Sequence, residues 1–171
     1  MDEQAILDVL DGLRNKFFGK YRGTVTNVDD PSNLGRIKAK IPGVLTDTES
    51  SWCMPCVPYA GPDVGMFFIP EVGAGVWVEF EAGDVSYPVW SGCYWRADEK
   101  PAEASPTVKA IKTKSGHTIL LDDSGSSITI KDPNENTVTM DNSGITLLRG
   151  SMKVAVTDSE VNVNDGALEI T

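Results

Sequence analysis

Short apolar pairs alternate with polar residues through the last third of the chain. Each pair has one residue between its two members, and successive pairs begin seven to ten residues apart. Turn-forming runs such as DDSG at 122–125 and DNSG at 141–144 separate the pairs. This repeat predicts very short β-strands that are apolar on one face and polar on the other. The pairs are Ile119/Leu121, Ile128/Ile130, Val138/Met140, Ile145/Leu147, Val154/Val156, Val161/Val163 and Leu168/Ile170.

Each of these predicted strands offers about two inward side chains, too few for one chain to bury against itself, and no helix is predicted here to cover the sheet. Three copies wound together would place every pair on a shared axis and would pair their backbone groups between chains. We therefore predict that residues 107–171 form a triple-stranded, intertwined β-helix in a homotrimer, with all fourteen residues on the trimer axis. At about 4.7 Å between strands the rod would be roughly 30 Å long. A second compact β domain and a single-chain solenoid remain the alternatives.

The middle of the chain also predicts β-structure, over residues 19–96. Short apolar or alternating runs are separated there by turns rich in glycine and proline. Five or six such strands are typical of a small barrel, and the five-stranded OB fold is the natural candidate. Residues 97–106 contain two prolines and several charges without a large apolar side chain, which predicts a linker. The predicted strands cover residues 21–28, 36–41, 52–57, 65–70, 76–81 and 87–94.

The first residues predict a helix over 1–18. Ile6, Leu10, Leu13 and Phe17 are spaced by four, three and four residues, which puts them on one helical face. A helix with one apolar face packs against another surface. We predict that this face docks against a hub protein or an adjacent subunit. The full expected fold is therefore all-β with an N-terminal helix, an OB barrel and the trimeric β-helix.

Composition narrows the possible functions. The chain has 171 residues, a formal net charge of −10 and 40% hydrophobic residues, so it is not a disordered polypeptide. No apolar run approaches the roughly 20 residues of a membrane helix, and the acidic N-terminal stretch does not have the pattern of a secretory signal. The excess of acidic residues opposes binding to nucleic acid. An OB fold can nevertheless stack single-stranded bases on aromatic residues. The alternative function is therefore an OB-fold module that binds a glycan or single-stranded nucleic acid and carries a β-rich oligomerisation tail. A cluster of basic residues on the first two predicted strands would supply its patch: Arg22, Arg36, Lys38 and Lys40.

The three cysteines leave one chemical alternative open. Cys53 and Cys56 have the CxxC spacing of a zinc or redox pair. A structural zinc site needs about four ligands, and Cys93 and the distant His117 are the remaining candidates. We favour free thiols in a reducing compartment.

Acidic residues provide two weaker candidates. Paired carboxylates can hydrolyse glycosides, and Glu79 and Glu81 would point the same way from one strand. Aspartates in the repeat turns could bind calcium. Solvated strand faces and turn formation explain both groups better, so we predict no catalytic residue, no cofactor and no bound metal. The other residues considered are Glu71 and Asp84 for catalysis, and Asp122, Asp123, Asp141 and Asn142 for calcium.

Two stretches of the predicted barrel resemble a known family. Residues 65–84, GMFFIPEVGAGVWVEFEAGD, and residues 87–95, YPVWSGCYW, resemble the OB-domain signature of contractile-tail spike proteins. The openings at 21–25, YRGTV, and 34–43, LGRIKAKIPG, are similar to the first two strands of that family. The family includes the phage baseplate assembly protein V group, the central spike of T-even phages, the valine-glycine repeat spike of type VI secretion and the spikes of extracellular contractile injection systems.

The resemblance implies a homotrimeric OB collar beneath a tail hub, followed by a triple-stranded β-helix needle that punctures a target membrane mechanically. The linker is too short for the lysozyme domain of the T-even spike, so peptidoglycan cleavage is not expected. The fused hub domain of the type VI spikes is absent from this sequence, which implies a separate baseplate hub protein. A separate spike-tip protein is expected to sharpen the short rod. The expected location is a virion tail baseplate or a contractile injection particle, assembled in the bacterial cytoplasm.

Overall fold

A computed structural model describes Leu10 and residues 12–170 of the chain. It contains two units, Met1–Asp98 and Glu99–Thr171, and both are built from β-strands.

The predicted N-terminal helix lies mostly outside the described residues, and its C-terminal end was predicted wrongly. Leu10, Gly12 and Leu13 are helical. Lys16, however, forms a β-bridge with Asp84. The next amide, that of Phe17, donates a hydrogen bond of 2.8 Å to a carbonyl oxygen of the barrel. Pairing with the barrel therefore replaces helical hydrogen bonds before residue 18.

Seven strands are present in the described residues of the first unit. Five of them form one sheet in the order β2-β1-β6-β7-β3, in which β3 runs parallel to β7 and the other neighbours are antiparallel. The remaining two, β4 and β5, form a separate hairpin. The strands are β1 (Tyr21–Asn27), β2 (Lys38–Lys40), β3 (Met54–Pro55), β4 (Ala60–Gly61), β5 (Val64–Gly65), β6 (Gly75–Phe80) and β7 (Pro88–Tyr94).

The edges of this five-stranded sheet meet, which closes it into the predicted barrel. Ile37, beside β2, exchanges two backbone hydrogen bonds of 2.8 and 3.3 Å with Cys53, beside β3. Alternating side chains of the strands point inward and form a buried cluster. Its members are Val25, Ile37, Ala39, Ile41, Cys53, Val76, Val78, Phe80 and Trp90.

Two details of the barrel differ from the prediction. Residues 66–70 do not form a strand, and β5 ends at Gly65. Phe67 and Phe68 of this segment are exposed. In addition, Glu81 begins a 3₁₀ turn, Glu81–Gly83, instead of continuing β6. Glu79 and Glu81 therefore do not share the strand face that was expected of them.

The second unit has eight strands between residues 108 and 170, and each pairs antiparallel with the next along the chain. The order in the sheet, β15-β14-β13-β12-β11-β10-β9-β8, is the sequence order. The strands are β8 (Val108–Lys112), β9 (Thr118–Asp122), β10 (Ser127–Lys131), β11 (Thr137–Asp141), β12 (Gly144–Arg149), β13 (Met152–Val156), β14 (Val161–Val163) and β15 (Leu168–Ile170).

This connectivity corrects the predicted backbone pairing between chains. Strands β9 to β14 are hydrogen-bonded on both sides by strands of the same chain. The turns are tight enough for each strand to fold back onto its predecessor, so the ladder forms locally. What remains available to other copies is the face of the sheet.

Aspartate side chains hold these turns together. The Oδ1 atom of Asp122 accepts hydrogen bonds from the backbone N–H groups of Ser124 and Gly125, both at 2.9 Å. Asp132 accepts in the same way from Asn134 and Asn136. Hydrogen bonds to the ionised form lower the pKa of both carboxyl groups, that of Asp132 to about 2. These aspartates act as turn formers.

Candidate functional site

The most distinctive surface of the chain is the apolar face of the second unit. The seven predicted pairs lie on β9 to β15, and the pairing register places them directly opposite one another. For example, Ile128 lies opposite Leu121 on one side and Met140 on the other. We call the resulting two columns the apolar stripe. Column 1 is Ile119, Ile130, Val138, Leu147, Val154, Val163 and Leu168, and column 2 is Leu121, Ile128, Met140, Ile145, Val156, Val161 and Ile170.

The stripe is largely uncovered within a single copy. Ten of its fourteen side chains keep between 37% and 60% of their surface exposed, and the four valines Val138, Val154, Val161 and Val163 are half-buried. Monomeric soluble proteins rarely expose contiguous apolar patches of this extent. The described residues of one chain therefore leave the stripe available for a partner surface.

Sequence reasoning missed one member of column 1. Ile111 on β8 lies opposite Ile119, and 46% of its surface is exposed. The position opposite Leu121 on the same strand is Lys109, so β8 contributes only one apolar side chain to the stripe. A search for apolar pairs could not find it, although its spacing from Ile119 fits a hairpin.

Each column borders a concave groove. A groove of about 690 Å³ follows column 1, and its charged lining residues are Lys131, Arg149 and Lys153 with one acid, Asp132. A second groove of about 540 Å³ follows column 2, and Asp122, Asp123 and Asp141 are among its lining residues. The two margins of the stripe thus differ in charge.

Two members of the basic cluster of the barrel, Arg36 and Lys38, are held by contacts within the unit. The Arg36 guanidinium forms a bidentate contact with one carboxylate oxygen of Asp30, at 2.6 and 3.0 Å, and the Asp30 side chain is only 4% exposed. This contact lowers the pKa of Asp30 well below its usual range. Lys38 pairs with Glu49 at 2.7 Å. Both basic groups also lie over the Trp52 ring.

Arg22 is held differently from its neighbours in that cluster. Its guanidinium lies 5.5 Å from the ring centroids of both Trp77 and Tyr94, and these two rings are themselves in contact. Such cation–π contacts fix the guanidinium against aromatic faces. The aromatic residues of this group are therefore occupied by protein contacts.

The structure separates the cysteines by environment. Cys53 is buried in the barrel core, and burial raises the pKa of its thiol, which disfavours the thiolate. Cys56 and Cys93 are exposed, and His117 lies in the turn between β8 and β9 of the other unit. Among the described residues, no group of three or more His, Cys, Asp or Glu side chains is arranged to hold a metal ion.

The carboxylates considered for catalysis also have local partners. Glu79 pairs with Lys20 at 2.8 Å. Asp84 accepts a hydrogen bond from the Ser86 amide and pairs with Lys16 at 3.5 Å, and its pKa is lowered mainly by the contacts with Ser86. The contacts of Asp84 fix the turn after β6, and both carboxylates are held in local ion pairs.

The predicted docking residues fall into two environments. Leu10 and Leu13 are exposed by 55% and 54%. The ring of Phe17 is half-buried and lies against Tyr21 and Phe80, with centroid separations of 6.2 and 6.1 Å. Ile6 lies outside the described residues, so docking stays a prediction for the set. Within the described part of the chain, no helix is long and apolar enough to cross a membrane.

Comparison with protein-family models finds a match in each unit. Residues 21–95 match the type VI secretion system/phage-baseplate injector OB domain. Residues 109–169 match the phage baseplate V C-terminal trimerisation domain. The first match covers all seven strands of the barrel unit, and the second covers the whole apolar stripe except the last residue of column 2.

Two curated proteins of Pseudomonas aeruginosa are similar to part of the chain. They are the type VI secretion system spike proteins VgrG2a and VgrG2b, each 31% identical over 83 residues. These alignments cover 46% of this chain but only 10% and 8% of the two relatives. The similarity therefore concerns one segment of much longer proteins.

Proposed function

The chain belongs to the phage-baseplate V and type VI injector spike family, and on this premise we propose that it is the central structural spike of a contractile-tail baseplate or a related injection machine. Three copies form the spike. Their OB barrels make a collar that adapts the three-fold rod to a separate hub protein, and their second units make the rod that contacts the target membrane. The role is mechanical, with sheath contraction supplying the force.

The apolar stripe carries this proposal. A sheet with a continuous exposed apolar face is stable in water only when another surface covers that face. The match of residues 109–169 to a trimerisation domain supports two further copies as the cover. In this arrangement each copy supplies its own backbone ladder, and the three stripes supply a shared dry axis. Bending the rod would expose apolar surface along that axis, which makes it stiff.

A substitution in the stripe tests the proposal inside the assembled machine. We expect Ile130→Asp to prevent rod formation, because three carboxylates would meet at the axis without partners. Thr129→Asp is the matched control, because Thr129 is the neighbouring residue on the opposite face of β10. The readouts are spike density in micrographs of the particles and their ability to breach target cells. Particles that keep spike density and activity with Ile130→Asp, or lose both equally with Thr129→Asp, would contradict the proposal.

Docking to the hub is a separate part of the proposal, carried by Ile6, Leu10, Leu13 and Phe17. Leu10 and Leu13 keep more than half of their surface free for a partner. We expect Leu13→Asp to abolish copurification of the hub with the spike while leaving the trimer intact. If the hub still copurifies at the wild-type level, the docking face lies elsewhere.

A further inference from the structure

Alternate turns of the second unit lie at opposite edges of its sheet. Because β8 to β15 form a meander, the turns after β8, β10, β12 and β14 lie beside column 1, and those after β9, β11 and β13 lie beside column 2. We call these the column 1 edge and the column 2 edge. The strand interiors between them are almost free of charged residues.

The two edges carry opposite charge. Five basic residues against three acidic ones lie in the turns and strand ends of the column 1 edge: Lys112, Lys114, Lys131, Arg149 and Lys153 against Asp132, Glu135 and Asp165. Five acidic residues lie in the turns of the column 2 edge: Asp122, Asp123, Asp141, Asp158 and Glu160. Lys109 is the one basic residue close to these turns within the described part of the second unit, and it pairs with Asp123 at 3.0 Å.

Contacts within the chain remove only part of this difference. Lys112 pairs with Glu103 at 2.5 Å, and Lys153 pairs with Asp165. Lys131 reaches Glu135 only at 3.8 Å, and the Glu135 side chain is 81% exposed. Arg149 donates to the neutral Asn136 side chain at 2.7 Å. Both basic residues also line the groove beside column 1, whereas the acidic residues Asp122, Asp123 and Asp141 line the groove beside column 2. Basic residues therefore predominate beside column 1, where Asp132 is also present, and acidic residues predominate beside column 2.

We propose that these edges form ionic seams between neighbouring copies and so specify their parallel orientation. This inference rests on the proposed trimer. When three sheets face a common axis that runs along the stack of strands, the column 1 edge of each copy meets the column 2 edge of the next. Opposite charges then meet at all three seams. An antiparallel face-to-face pair would instead bring like edges together, which is unfavourable.

Symmetry also sets the spacing within each seam. In a three-fold symmetric trimer, the same strand of each copy lies at the same height along the axis. At each seam the turns of the column 1 edge of one copy therefore alternate along the axis with the turns of the column 2 edge of its neighbour. Successive turns along a seam are then separated by one strand spacing, about 4.7 Å. At this distance the basic turn after β12, flanked by Arg149 and Lys153, lies between the acidic turns after β11 and β13. The basic turn after β8, with Lys112 and Lys114, lies beside the acidic turn after β9, and salt only partly screens these attractions.

Charge reversal of either edge tests the inference on the full chain. One variant carries Lys114→Glu, Lys131→Glu and Arg149→Glu. A second carries Asp123→Lys, Asp158→Lys and Glu160→Lys, which leaves the turn-forming Asp122 and Asp141 in place. We expect each variant to weaken trimer association by about tenfold or more at low ionic strength, with partial recovery in 1 M NaCl, because like charges meet at each seam.

A third variant combines all six substitutions and therefore exchanges the signs of the two edges. Its formal net charge remains −10, as in the natural sequence. We expect it to trimerise like the natural protein, since opposite charges meet again. Association that is unchanged in the two single-edge variants, or that fails to recover in the six-substitution variant, overturns the seam. A natural protein that sediments as a monomer would instead refute the proposed trimer, so the two failures are distinguishable.

Discussion

Truncating one leucine of the apolar stripe tests the proposed trimer quantitatively. Leu121 on β9 is 43% exposed in a single copy. Moving a fully exposed leucine into a core stabilises by about 1.5–3 kcal/mol, so covering the remaining surface of Leu121 contributes about 1 kcal/mol per copy. Three copies contribute about 3 kcal/mol to the trimer. We expect Leu121→Ala to lower the trimer association constant by about a hundredfold, since 1.4 kcal/mol corresponds to a factor of ten.

The neighbouring residue supplies the control. Leu120 is the same residue type on the same strand, but it lies on the opposite face, across from Ala110 and Thr129. Leu120→Ala removes the same atoms without touching the stripe, so we expect it to change trimer association by less than about threefold. Sedimentation equilibrium over a dilution series measures both constants. Equal losses in the two variants, or a larger loss in Leu120→Ala, would refute the reasoning.

Three further predictions concern the stability of each unit. A Cβ at Gly144 would clash with the Val156 carbonyl oxygen, whereas one at Gly166, which also has a positive φ, meets nothing within 4 Å. Gly144→Ala should therefore lower the melting temperature of the second unit far more than Gly166→Ala. Ile37 is fully buried where the barrel closes, so Ile37→Ala should lower its free energy of unfolding in urea by about 2–5 kcal/mol, and a loss below 1 kcal/mol would argue against this core. The pKa of Asp132 in the folded protein, about 2, lies below its ordinary value of 3.8. The ionised Asp132 therefore stabilises the folded state above pH 4, and this contribution is lost as the pH falls towards 2. Asp132→Asn should reduce the loss of stability that a pH–stability curve of the natural protein shows over this acidic range.

The apolar stripe could be predicted from sequence because its signal is local. A spacing of two residues within each pair fixes which side chains share a face, and the turn residues between pairs fix where each strand ends. The predicted backbone partners were wrong for an equally physical reason. Turns such as 122–125 and 141–144 bring consecutive strands together within one chain, which costs less loop-closure entropy than pairing with another copy. The same turn residues could have indicated hairpins.

The barrel shows what local patterns cannot supply. Its strand order and the parallel pairing of β3 with β7 depend on contacts between distant segments. The predicted end of the N-terminal helix was wrong because the β-bridge between Lys16 and Asp84 joins residues that are far apart in sequence. The opposite charges of the two sheet edges are likewise invisible until the meander assigns each turn to its edge.

A density map of the assembled protein tests the central claim most directly. We expect three copies, with a combined mass of about 55 kDa, three times that of the 18.4 kDa chain. In the proposed trimer, the side chains of Ile128, Met140 and Val161 from all three copies surround one three-fold axis. A single-copy particle, or an assembly in which these side chains face solvent, would contradict it.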